Sequence, residues 1–225
     1  MHDCLGTARR IVNVGAGTGS YEPPGAAVVA VEPSRQMIAQ RRGRSDDVVR
    51  AVAGALPFAA DSFDAALAIL TIHHWDDPGA GLRELRRVAR GQVVFFFEPL
   101  RTHAFWALEY FPEALDLPQE KAPPGEPLLR EHLDVREVVP ILVPNDCIDG
   151  FGAAFWARPE SYLEPEVQAG MSWLALLPAE ARERGTARLR WELASGEWDR
   201  RHGRLRTQEQ FDAGYRIAVA GEPMR

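Results

Sequence analysis

The chain has 225 residues, a formal net charge of −6 and ordinary apolar and charged fractions, enough to bury one full α/β core. An acidic balance without a long basic block argues against a nucleic-acid-binding surface. No apolar stretch is long enough to span a membrane and no signal-peptide pattern opens the chain, which makes a cytoplasmic, bacterium-like protein the expectation.

After a short polar start, Ile11, Val12 and Val14 read as a buried strand. Three glycines follow at alternate positions, Gly15, Gly17 and Gly19, where the backbone can turn sharply and a ligand can approach the main chain. A second apolar run, Ala26 to Val31, ends in Glu32, an acid placed to accept hydrogen bonds from both ribose hydroxyls. The unit reads as strand, glycine loop, short helix, strand and acid. From Gly15 to Glu32 the chain advances 17 positions, about one helical turn short of the roughly 20 of a dinucleotide-binding unit. Pro23 and Pro24 lie inside this connection, so its helix is expected to be a stub.

Pro33 and Ser34 lead into the next helix, with Ser34 as N-cap and Met37 and Ile38 toward the core. Val48 to Ala53 is the third strand. Beyond it come Gly54-Ala55-Leu56-Pro57-Phe58, then Ser62-Phe63-Asp64 and the apolar run Ala65 to Ile72, polar enough nowhere for an exposed strand. That run delivers Leu70, Thr71, His73 and His74 to the carboxyl edge of the sheet. Asp77 and Pro78 start a helix whose apolar face is Leu82, Leu85 and Val88, with Arg83, Arg86, Arg87 and Arg90 toward solvent. Gly91 is expected to end it. Gln92 to Phe97 makes strand five, finishing at Glu98; Val135 to Val143 and Tyr215 to Ala220 complete the sheet. Thr207 and Gln210 have capping-box spacing for a short helix between them and the last strand.

The glycine loop is G-x-G-x-G, with Ser20 where a dinucleotide fingerprint has its third glycine. This loop and the ALPF-x-x-x-SFD segment resemble those of the class I S-adenosylmethionine (SAM) dependent methyltransferases. The ordering PNDC-x-DGF-x-x-x-FW-x-RPE-x-YL resembles uncharacterised bacterial members of that class. The resemblance implies a doubly wound α/β sheet of seven strands, order 3-2-1-4-5-7-6, with the seventh antiparallel. It implies one domain over 1–225, with helical insertions at about 101–133 and 145–206 as a lid over the acceptor. SAM is the implied cofactor and S-adenosylhomocysteine (SAH) the product. Gly15, Ala16, Gly17 and Gly19 would cradle the amino-acid tail and Glu32 the ribose, with Pro33 and Met37 beside the nucleoside. Gly54, Ala55 and Leu56 would frame the adenine, and Leu70, Thr71 and His74 would close the side nearest the acceptor. Members of the class usually carry helices ahead of the glycine loop; here the first strand begins almost at once, which implies a more open pocket.

Methyl transfer needs in-line alignment, and a general base only when the acceptor arrives protonated. His74, His73 and Glu98, at the ends of strands four and five, are the candidates for contact with the acceptor; histidine is the natural base. His103 and His132 are expected at the surface or in the lid. Lys121, the only lysine, falls in a proline-rich loop. The two cysteines, Cys4 and Cys147, and the histidines and acids have no metal-ligand spacing, so no metal is expected. The aromatic residues of the insertions (Phe105, Trp106, Tyr110, Phe111, Phe151, Phe155, Trp156, Tyr162, Trp173) read either as acceptor-pocket lining or as a plain core. The expected partner is a small-molecule acceptor, with the chain a monomer or homodimer. Two other readings stand beside this one: a SAM-binding protein without transferase activity, and an NAD(P)-dependent oxidoreductase.

Overall fold

The apolar runs become the strands of one seven-stranded sheet. The structure, a computed structural model, describes residues 2–41, 47–98, 105–118 and 124–224. In chain order the first five strands are β1 (Arg10–Val14), β2 (Ala27–Val31), β3 (Val48–Val49), β4 (Phe63–Ile69) and β5 (Ala89–Phe97). β6 (Val135–Pro140) and β9 (Tyr215–Gly221) close the sheet, whose order is β3-β2-β1-β4-β5-β9-β6. β1 pairs in parallel with both β2 and β4, while β9 runs antiparallel to β6. Since β9 is the seventh strand of the sheet, this is the expected 3-2-1-4-5-7-6 order. The order reverses beside β1, which is where open α/β sheets leave a crevice for ligands. Ile11, Val12, Val14 and Ala65 to Ala68 are fully or almost fully buried, as central parallel strands covered on both faces must be.

Helices are set by the caps read from the sequence. Ser34 Oγ accepts the Met37 amide at the start of α1 (Arg35–Gln40), and Asp77 Oδ1 accepts the Ala80 amide (2.8 Å) at the start of α2 (Pro78–Val88). Leu82, Leu85 and Val88 of α2 have no exposed surface and join Leu129 and Leu133 in the core below β1, β4 and β5. Leu129 belongs to α3 (Glu126–His132).

Several expectations are corrected. The connection from Gly15 to Ala26 holds only turns, so the stub helix is absent. Met37 is 43% exposed and α1 buries none of its residues, because it packs no apolar face against the sheet. β3 is two residues long, not six. α2 ends at Val88, where Ala89 turns extended, and Gly91 sits inside β5 opposite Ala65. β6 stops at Pro140, and Val143–Pro144 forms a separate strand, β7, paired with β8 (Gln210–Phe211). Thr207 closes a 3-10 turn by donating to Arg204 O, and Gln210 is strand, so the short helix at those residues does not form.

Contacts divide the chain into two compact units: Met1–Glu98, Pro124–Pro140 and Arg216–Arg225 form one, and Pro99–Pro123 with Ile141–Tyr215 the other. The second contains α4 (Pro165–Gly170), α5 (Ser172–Ala175), α6 (Ala179–Ser195) and α7 (Glu197–His202). Its aromatics form its own core: Trp106, Tyr110, Phe111, Trp156, Tyr162 and Trp198 are each 4% exposed or less. Apart from Trp198 Nε1, which has no hydrogen-bond partner among the described residues, their polar ends are satisfied inside it. Trp106 Nε1 donates to Trp156 O (3.0 Å), Trp156 Nε1 to Val143 O (3.0 Å) and Tyr110 Oη to the buried Glu192 (2.5 Å). His103 and Lys121 lie outside the described residues.

Because α3 contributes Leu129 to the sheet unit's core, Leu129→Ala should lower its stability by about 2–5 kcal/mol in urea unfolding. A loss below about 1 kcal/mol would remove α3 from that core.

Candidate functional site

Most of the residues singled out from the sequence lie in the sheet unit, where β1, β2, β4 and β5 end. Val31 O accepts the amides of both Gly15 (2.8 Å) and Ala16 (3.0 Å), which turns the chain back at the end of β1. Gly15, Gly17 and Gly19 all have positive φ (72°, 51° and 83°). At Gly15 the lack of a side chain is also steric, since a Cβ there would come 2.0 Å from Thr71 Oγ1. Gly17 faces open space, with nothing within 4 Å of where its Cβ would be. The loop therefore has one position packed against the end of β4 and one left open.

Glu32 is the polar centre of this edge. The residue is 7% exposed, and its two carboxylate oxygens accept the Gly17 amide (2.8 Å) and the Ser34 amide (2.9 Å). Those donors hold the charge where solvent does not, and each oxygen keeps a lone pair for a further donor. Pro33, next to it, is exposed. No helix follows the glycine loop, so no helix N-terminus stands there to face a pyrophosphate. That geometry suits a nucleoside with an uncharged linkage better than a dinucleotide, and it disfavours the NAD(P) reading.

At the end of β4 the chain turns through Leu70, a non-glycine residue at φ +48°, whose amide donates to Phe95 O. Thr71 follows, 8% exposed, and then the 3-10 turn Ile72–His74. His73 packs on Phe97 (ring centroids 4.9 Å) and on His74 (3.9 Å), and its buried Nδ1 has no hydrogen-bond partner among the described residues. Burial pushes its pKa down to about 3, with the neighbouring His74 adding to the effect. The His74 ring is exposed at its edge; the protein packed around it lowers its pKa, while the Glu32 carboxylate pulls it back up. Both imidazoles are therefore neutral at pH 7. Glu98, half-buried, ends the same edge at β5.

Gly54 and Ala55 are exposed in the loop after β3, whereas Leu56 is a core residue at 5%. The Ala55 amide goes to Val52 O and the Leu56 amide to Glu84 Oε2 (2.7 Å), so neither is left over for a ring edge. Met37 and Val52 are 43% and 53% exposed, on segments that follow the carboxyl ends of β2 and β3, and leave apolar surface uncovered there. Arg87, expected on the solvated face of α2, instead clamps this loop: it donates to Phe58 O, Leu56 O and Glu84. The Glu84/Arg87 spacing of three was visible in the sequence, but the carbonyls it reaches were not.

Three further residues escaped the sequence reading. Asn13, Glu22 and Arg41 form a buried polar group behind the glycine loop, with Arg41 donating to Glu22 (2.5 Å) and to Gly17 O (3.1 Å). Nothing in their spacing announces it.

These residues fit SAM: a glycine loop open at Gly17, a fixed buried carboxylate, neutral histidines and uncovered apolar side chains share one sheet edge. The comparisons agree. Residues 12–97 match the methyltransferase-domain family. A solved structure described as a candidate methyltransferase from an antibiotic biosynthesis pathway of Anabaena variabilis ATCC 29413 is 33% identical, covers 97% of this chain and 92% of its own, and superposes with a TM-score of 0.86. Demethylmenaquinone methyltransferase of Renibacterium salmoninarum is 35% identical over 108 residues, 42% of this chain and 46% of its own length. A chloroplastic 2-methyl-6-phytyl-1,4-hydroquinone methyltransferase of Oryza sativa subsp. japonica is 28% identical over 113 residues, 45% of this chain and 32% of its own. The match thus spans less than half the length of these two curated relatives. The chain belongs to the class I SAM-dependent methyltransferases, with SAM as the cofactor of that family.

Two outcomes test the geometry. Gly17→Ala meets only the backbone penalty of a left-handed residue, about 1–2 kcal/mol, whereas Gly15→Ala must also displace Thr71 and should be the more destabilising in thermal melts. The reverse order would contradict the packing. His73 binds its proton more weakly when folded than when unfolded, so the unfolded chain takes up more protons between pH 6.5 and about 3. Stability falls as pH is lowered through that window, by at most about 1.4 kcal/mol per unit for this group. Urea unfolding at a series of pH values should show His73→Phe reducing that slope; an unchanged slope would mean His73 titrates normally.

Proposed function

We propose that this chain transfers the methyl group of SAM to a small-molecule acceptor. One observation carries the reading: the buried Glu32 carboxylate, fixed by the Gly17 and Ser34 amides beside a glycine loop with no helix behind it. Gly15, Ala16, Gly17 and Gly19 would hold the amino-acid tail, Glu32 the ribose hydroxyls, and Pro33, Met37, Gly54, Ala55 and Leu56 the nucleoside side. Met37 and Gly54 are the exposed members best able to meet an adenine. Leu70, Thr71 and His74 would border the acceptor. When bound, SAM supplies a sulfonium-activated methyl group with a good leaving group.

The protein's task is alignment and exclusion of water. Neutral His73 and His74 put no positive charge near a cationic ligand, and the nearby Glu32 supplies a negative one. His74, with the less buried ring, is the better base for an acceptor that arrives protonated; the depressed pKa of His73 makes it a weak one and suits it to packing. Glu98 would contact the acceptor from the end of β5. The helical insertions follow β5 and β6 in the chain, and a lid over the acceptor is the role proposed for them. A cytoplasmic setting belongs to the same proposal; no helix among the described residues is long and apolar enough to cross a membrane.

Calorimetric titration tests the cofactor assignment. Glu32→Ala should weaken SAM binding by about 1–3 kcal/mol, the loss of a buried hydrogen-bonding partner. Unchanged affinity would remove Glu32 from the ribose site.

A further inference from the structure

The two peptide groups that meet at Gly17 are each held by a charged side chain. The Gly17 N–H donates to Glu32 Oε2 (2.8 Å) and the Gly17 C=O accepts from Arg41 NH1 (3.1 Å). Arg41 closes α1, with its own amide on Ile38 O, and its other terminal nitrogen meets Glu22 Oε1 at 2.5 Å. The Arg41 and Glu22 side chains are only 4% and 6% exposed. Glu22 is tied back to the same loop through its amide on Gly19 O (3.4 Å), and Asn13 Nδ2 reaches its carboxylate from β1 (3.5 Å).

A buried ion pair of this kind adds little net stability, because desolvation offsets the attraction. Two of its polar atoms, Arg41 Nε and Asn13 Oδ1, have no partner among the described residues, so the group is not optimised for stability. What it does achieve is orientation. Gly17 has φ +51° and nothing within 4 Å of where a Cβ would be, so packing at that position does not fix the turn. The Glu32 carboxylate holds the Ala16–Gly17 peptide by its N–H and the Arg41 guanidinium holds the Gly17–Thr18 peptide by its C=O, both as charge-assisted bonds.

We propose that Arg41 and Glu22 are positioning residues: without touching the ligand, they set the Gly17–Thr18 peptide of the loop that receives the amino-acid tail of SAM. Arg41 acts directly on the Gly17 carbonyl, and Glu22 aims and neutralises Arg41. Glu32 is bonded to the adjoining Ala16–Gly17 peptide, so the ribose end and the tail end of the site meet at one residue, Gly17. This inference rests on the reading of the glycine loop as the tail site.

The test is titration of the purified chain with SAH and with adenosine, which lacks the tail, alongside thermal melts. Arg41→Met should weaken SAH by about tenfold or more, since it frees the loop and strands a buried carboxylate, while adenosine changes by less than about twofold. Arg41→Lys should keep part of the SAH affinity, because an ammonium can neutralise Glu22 but cannot span both oxygens. The decisive variant is Glu22→Gln combined with Arg41→Met. With no lone charge left buried it should regain thermal stability, yet still bind SAH weakly. SAH affinity recovering with the melting temperature would overturn the proposal, as would SAH and adenosine falling together. A wild-type chain that binds neither compound sinks the cofactor reading and this inference with it. The inference falls alone if Glu32→Ala weakens SAH while the Arg41 variants bind it as the wild type does.

Discussion

Glu32 accepts two backbone amides from different segments, and the geometry of the site depends on that pair of bonds. The Gly17 amide fixes the glycine loop beyond β1; the Ser34 amide fixes the chain entering α1. A buried carboxylate that lost either donor would have to find another or protonate. The bond to Ser34 also sets that residue to cap α1, whose last turn brings Arg41 to the loop. One side chain thus orders β1's exit, β2's exit and the first helix together.

Much of this was legible in the sequence, for physical reasons. The central strands are continuous apolar runs because parallel strands are buried on both faces. Asp77-Pro78 and Ser34 carry their helix starts in their own chemistry, whereas the 17-position advance with two prolines suggested a stub helix where the chain has only turns. What escaped was tertiary. Val48 to Ala53 looks like strand by composition, yet only Val48 and Val49 find a ladder partner, in β2. Met37 has the right spacing for a core contact and no core beneath it. Glu22 and Arg41 are ordinary surface types, 19 residues apart, and only the folded chain shows them buried against each other.

The acceptor side is where legibility ends. The family match stops at Phe97, and the second compact unit begins at Pro99. Within that unit the aromatic residues are engaged with one another: Trp106 against Tyr162 and Trp198, and Trp156 stacked on Phe211. The indole nitrogens of Trp106 and Trp156 and the Tyr110 hydroxyl are committed to internal acceptors, as a core requires and as a ligand-reading surface does not. The fold fixes the cofactor class; the acceptor has to be found from sites grafted on it.

The measurement that tests the account most directly is titration of the wild-type chain with SAM, SAH and NAD. A carboxylate-bearing glycine loop with no helix N-terminus behind it predicts saturable one-to-one binding of SAM and SAH and none of NAD. Binding of NAD, or no binding of SAM by a folded sample, would contradict it.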